Sequence, residues 1–112
     1  MTTTLTHLTF DCTDAEKLAA FWSAVLDQPV ADGASPEYAV LDGTPGWMFV
    51  QVPEAKTTKN RCHPDLGTDD LPAEVARLAA LGATHQADHS EDGTTWVTLT
   101  DPEGNEFDVV AG

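Results

Sequence analysis

The chain has 112 residues, enough for one domain with a real core, and 41% of them are apolar, which excludes global disorder. Its 19 acidic and 5 basic residues leave a net charge of −14, a field that repels nucleic acid and anionic membranes while leaving room for one local cationic pocket. No run reaches the roughly eighteen apolar residues of a membrane span, the start Met-Thr-Thr-Thr-Leu has no signal-peptide character, and two cysteines make no disulfide framework, so a cytoplasmic protein is expected.

Residues 5–12 alternate, with Leu8, Phe10 and Cys12 on one face and His7, Thr9 and Asp11 on the other, the pattern of a half-buried strand. Thr13-Asp14-Ala15-Glu16 then opens a helix, with a capping side chain and acidic residues in the first turn. Leu18, Phe21, Trp22, Val25 and Leu26 recur at helical spacing as one apolar stripe, and Pro29 stops it. A short strand is expected near residues 29–31. Residues 38–41 and 47–52 are two more, joined through Asp42-Gly43-Thr44-Pro45-Gly46. Along the second of these, Trp47, Phe49 and Gln51 share a face.

Residues 53–60 are polar and read as a connector. Lys56, Lys59 and the adjoining Arg61 are three of the five basic residues, a solvated patch or a clamp for a carboxylate or phosphate. After it the pattern restarts. Residues 62–67 form a short strand, and Thr68-Asp69-Asp70-Leu71-Pro72 is a capped helix entry with proline in its first turn. Leu71, Val75, Leu78 and Leu81 carry the helix to Gly82, which ends it. Residues 83–87, 94–100 and 106–110 supply three further strands. Cys12 and Cys62 both fall in strand-like runs, where a buried thiol behaves as a small hydrophobe.

The last two strands are joined by Asp101-Pro102-Glu103-Gly104-Asn105, a tight-turn sequence. Beyond it Glu106 and Asp108 alternate with Phe107 and Val109, so two carboxylates share one face. The whole order is strand, helix, three strands, repeated once. His7 and His63 are 56 residues apart, as are Asp14 and Asp70, while Gln51 and Asp108 are offset by 57.

The closing turn and strand resemble those of the vicinal oxygen chelate superfamily, the glyoxalase, bleomycin-resistance and extradiol-dioxygenase group. Residues 5–14, the helix segment 18–26, Lys59-Asn60-Arg61-Cys62-His63-Pro64-Asp65-Leu66 and the second helix, residues 70–83, resemble its glyoxalase-like subgroup, common in bacteria. The resemblance spans nearly the whole chain. It implies an α+β fold over 1–112: two β-α-β-β-β modules, about 1–55 and 60–112, form a curved mixed sheet around a cleft with helices outside.

What the resemblance implies for function is a protein that binds a small molecule in the cleft. It does so with one divalent ion (Ni, Zn, Co, Mn or Fe) or with none, and a homodimer is expected. The alternatives are a metal-dependent lyase or isomerase, an extradiol-type dioxygenase, and an antibiotic-sequestering resistance protein. The family positions for metal ligands fall on His7, Gln51, His63 and Asp108, donors that suit such an ion. Trp47, Phe49 and Trp96 are candidate aromatic walls and Arg61 a candidate ligand-binding cation. Glyoxalase isomerisation needs a carboxylate that can act as base; Gln51 cannot, which leaves Asp108 or Glu106 as catalytic candidates.

Overall fold

The structure, a computed structural model, describes residues 2–112. It is α+β, with two helices and two mixed sheets. Two compact units are present, Met1–Lys56 and Thr57–Gly112, and in each the first strand runs parallel to the last.

The first unit contains β1 (His7–Cys12), α1 (Ala15–Leu26), β2 (Tyr38–Leu41) and β3 (Gly46–Gln51), with sheet order β1-β3-β2. Helix α1 starts where Asp14 accepts the Lys17 backbone N–H at 3.1 Å, and ends at Asp27, whose φ of 54° is left-handed. The parallel register pairs Leu8 with Trp47, Phe10 with Phe49 and Cys12 with Gln51. One face therefore carries Leu8, Phe10, Cys12, Trp47, Phe49 and Gln51. Helix α1 packs on this face: Trp22, fully buried, lies 5.9 Å from Phe10 and 5.1 Å from Trp47 between ring centroids. Truncating such a residue to alanine costs about 3–5 kcal/mol.

The strand expected near 29–31 shrinks to a single bridge between Val30 and Leu41. Backbone bonds from Ala31 to Val40 (2.8 Å) and from Asp42 to Pro29 (3.0 Å) flank it. Pro29 has no N–H to extend the ladder, and Asp32-Gly33 turns the chain away, so this sheet has three strands.

The second unit contains β4 (Asp65–Thr68), α2 (Leu71–Leu81), β5 (Thr84–Glu91), β6 (Thr94–Thr100) and β7 (Glu106–Ala111), with order β4-β7-β6-β5. Asp70 caps α2 by accepting the Ala73 N–H at 3.2 Å, and Gly82 closes it at φ 121°. Leu78, Val97, Leu99, Phe107 and Val109 form its core. Two expectations shift here. The strand drawn over 83–87 runs to Glu91, with an irregularity between His85 and Ala87. The strand drawn over 62–67 begins only at Asp65, so His63 precedes it and Cys62 is exposed rather than packed.

The β6–β7 turn is organised by one buried carboxylate. Asp101, 3% exposed, accepts the backbone N–H groups of Glu103 and Asn105, each at 2.9 Å, and the Asn105 side-chain amide at 2.9 Å. Gly104, at φ 85°, donates its N–H to the Asp101 carbonyl. That closure sets the register Thr100–Glu106 and Thr98–Asp108. Among the described residues no helix is long and apolar enough to cross a membrane.

Candidate metal centre

In the second unit, Phe107 and Val109 point into the core beneath α2, so the alternating residues Glu106, Asp108 and Val110 lie on the opposite face. The sheet register adds neighbours to that face: Asp65 of β4 pairs with Asp108, Thr98 of β6 pairs with it from the other side, and Trp96 pairs with Val110. His63 stands just before β4. The segment carrying it is pinned by the Asp108 N–H donating to the Pro64 carbonyl at 3.0 Å. As a result His63 Nε2 lies 3.2 Å from Asp108 Oδ2 and 3.3 Å from Asp65 Oδ1. The three residues offer ligand atoms that all lie within 4.8 Å of one another. The Asp108 side chain is 15% exposed and that of His63 is 40%, so the cluster is anchored at its base and open at its mouth.

An imidazole nitrogen with two carboxylate oxygens is a donor set that fits a divalent first-row ion, with positions left over for water or ligand oxygens. His63 and Asp108 are the two expected residues that the structure brings together. Asp65 was missed. Its signal was available in the sequence, since a residue two positions after His63 lies on the same side of an extended chain. What sequence reasoning lacked was the parallel pairing that sets Asp65 opposite Asp108. Glu106 shares the Asp108 face, as expected, but its Oε1 accepts the Asn60 backbone N–H at 2.9 Å, tying the connector to β7. Arg61 is exposed, two residues ahead of His63.

Among the described residues, the first unit does not repeat this arrangement. His7 lies on the face away from α1, close over Gly46: a Cβ there would sit 3.0 Å from His7 Cδ2. Gln51 lies on the other face, and its Nε2 donates to the Thr13 carbonyl at 3.0 Å. The expectation that His7 and Gln51 point the same way is thereby corrected. Taking the helix caps Asp14 and Asp70 as the common frame, Thr9 matches Asp65; their register partners, Met48 and Asp108, then match each other. Met48 occupies the position expected of Gln51, because an odd displacement along a strand reverses the face.

The aromatic candidates divide in the same way. Trp47 and Phe49 face α1, with Phe49 fully buried and Trp47, half-buried, stacked on Phe10 at 5.3 Å; the cleft wall expected of them is corrected to a helix-facing cluster. Trp96 shares the Asp108 face and stacks on His89 at 5.0 Å and 14°. A separate cavity of about 310 Å³ is lined by Leu71, Pro72 and Val75 of α2 together with Asp88, Thr95, Trp96 and Val97. Three α2 residues line this cavity and none of His63, Asp65 and Asp108 does, so it is distinct from the cluster.

Residues 7–110 match the family model described as a glyoxalase-like domain. No curated protein matches the sequence. Solved structures are similar in fold. A glyoxalase/bleomycin resistance protein/dioxygenase family enzyme from Burkholderia phytofirmans PsJN superposes with a TM-score of 0.80 at 19% identity, covering 97% of this chain and 98% of that one. A fosfomycin resistance protein, FosX, from Listeria monocytogenes, complexed with Mn(II) and 1S,2S-dihydroxypropylphosphonic acid, gives 0.80 at 14% identity, covering 100% and 92%. A lactoylglutathione lyase from Agrobacterium tumefaciens gives 0.68 at 15% identity, covering 100% and 96%.

Proposed function

We propose that this chain, which belongs to the glyoxalase-like domain family, binds a small molecule bearing adjacent oxygen atoms at a divalent ion held by His63, Asp65 and Asp108. The observation that carries this reading is the convergence of three ligand atoms, one nitrogen and two carboxylate oxygens, within 4.8 Å. An ion held there by His63, Asp65 and Asp108 would supply Lewis acidity toward a bound oxygen. The chain's own groups do the rest. Asp65 and Asp108 each offer a carboxylate oxygen and His63 a ring nitrogen. Arg61, exposed and two residues before His63, is the cation proposed to orient an anionic ligand, and Trp96 offers an apolar surface on the Asp108 face. The Mn(II) and dihydroxy-phosphonate held by the fosfomycin-resistance protein of like fold support this ligand class.

Lactoylglutathione isomerisation is not part of this reading. That chemistry draws on a carboxylate free to leave the metal and act as base. In the first unit the position matching Asp108 is Met48, and Gln51 is turned to the helix side. Glu106 accepts the Asn60 N–H, and of the two expected base candidates Asp108 belongs to the cluster. A metal-free binding role is the second reading. It is favoured by His63 Nε2 lying within reach of both carboxylates, where a single proton on the ring closes the cluster without an ion. We also propose a cytoplasmic homodimer, for which sedimentation at micromolar concentration should give twice the chain mass.

The test is calorimetric titration of untagged protein with MnCl2, ZnCl2, CoCl2 and NiCl2, alongside an assay of methylglyoxal with glutathione. One ion should bind per chain, binding should be lost in His63→Ala and Asp108→Asn, and no ion should bring turnover. Failure of every ion to bind favours the metal-free reading. Binding indifferent to both substitutions, or robust turnover, overturns the proposal.

A further inference from the structure

Asp108 has two carboxylate oxygens, and only Oδ2 faces His63. The other, Oδ1, accepts the Thr98 hydroxyl at 2.6 Å. A threonine hydroxyl has one proton and two lone pairs. With its proton committed to Asp108, Thr98 Oγ1 can only accept from its second neighbour, His89 Nε2, 3.2 Å away. That requirement selects the ring tautomer of His89 that carries hydrogen on Nε2. The His89 ring is itself held flat against Trp96, its register partner on β6, at 5.0 Å and 14°. Four strands thus contribute to one line of polar groups: His89 on β5, Thr98 on β6, Asp108 on β7 and Asp65 on β4.

We infer that Thr98 is the positioning residue of the centre, with His89 as its anchor. The chain from His89 Nε2–H through the Thr98 hydroxyl to Asp108 Oδ1 turns the carboxylate so that Oδ2 alone is presented beside His63 and Asp65. Asp108 is thereby a single-oxygen ligand with a fixed direction, and the pairwise occupation of its oxygens leaves no second orientation of equal energy. Outer-shell partners of this kind typically govern 10- to 100-fold of metal affinity, because a ligand that must be ordered on binding binds less tightly. Neither residue belongs to the group of three that offers ligand atoms. Their role is geometric. This inference rests on the metal reading above for its consequence, but the hydrogen-bonded chain stands without an ion.

Two measurements separate these. The first uses the metal-free protein: long-range 15N–1H spectra of the histidine rings report the tautomer of each. His89 should show hydrogen on Nε2 in the parent protein and lose that preference in Thr98→Val; a preference for Nδ1, or one unchanged by Thr98→Val, overturns the inference whatever the metal does. The second is titration with MnCl2 and ZnCl2. Thr98→Val should weaken binding by about 10- to 100-fold, and Thr98→Ser, which restores the hydroxyl, should return it close to the parent. His89→Phe, which keeps the stack on Trp96 but removes the N–H, should fall between. Equal affinity in the parent and Thr98→Val, or no rescue by serine, refutes the positioning role. Absence of any ion from the parent protein would refute the metal reading instead, leaving the tautomer result to judge the chain. Val at 98 suits a strand, so loss of fold is not expected, and melting curves of both variants verify this.

Discussion

Asp101→Ala should be among the most destabilising single changes in the second unit although it removes no apolar group. The carboxylate is 3% exposed, and its oxygens collect two backbone N–H groups and one side-chain amide at 2.9 Å. Each bond to a carboxylate contributes about 1.5–3 kcal/mol net. The three do not add, because Glu103 and Asn105 are only half-buried and water recovers part of the loss. A net cost of about 2–4 kcal/mol follows, a large share of the 5–15 kcal/mol that keeps a domain folded. Equilibrium unfolding in urea measures it: the midpoint should fall while the slope stays unchanged, since the turn alters little of the surface exposed on unfolding. Asp101→Asn, which keeps one oxygen acceptor but sets an amide against the Asn105 amide, should cost about half as much. A loss below about 0.5 kcal/mol for Asp101→Ala, the range of ordinary surface changes, would show that the turn holds without its carboxylate and refute the argument.

Gln51→Glu should bring no gain of glyoxalase activity with any added ion and should cost about 1 kcal/mol, since the new carboxylate loses the donor that now reaches the Thr13 carbonyl; activity assays and a melt decide it. Trp47→Ala, at the helix-facing cluster with Phe10 and Trp22, should cost about 3 kcal/mol in urea unfolding and leave metal binding intact. Arg77 holds the Glu74 carboxyl below its ordinary value of 4.5 through a 2.8 Å hydrogen bond. Because that folded value is depressed, the pair contributes its full stability above the unfolded value and loses it as pH falls through the lowered one. Arg77→Ala should therefore cost about 0.3 kcal/mol at neutral pH, and melting of the two proteins should converge in acid.

Much of the architecture could be read from pattern alone, and the failures have a common cause. The helix caps Asp14 and Asp70, the stop at Gly82 and the turn after Asp101 are local features, decided by hydrogen bonds within a few residues. His63 and Asp108 were legible because a turn and a repeat marked them. What sequence could not supply was strand register. Counting 57 from Gln51 to Asp108, rather than starting from the pairing of β1 with β3, put Gln51 on the wrong face and carried Trp47 and Phe49 with it. The same missing information hid Asp65, and with it the row Thr98 and His89 complete, since those residues meet only after four strands are aligned. Periodicity tells which residues share a face within a strand; which face turns toward the helix is a tertiary fact.

The central claim concerns three side chains of one sheet, and crystals of the protein soaked in MnCl2 test it directly. Data collected near the manganese absorption edge should show one strong anomalous peak bounded by His63 Nε2, Asp65 Oδ1 and Asp108 Oδ2, at roughly 2.0–2.3 Å from each. A peak elsewhere, or none at these residues at millimolar manganese, would contradict the account.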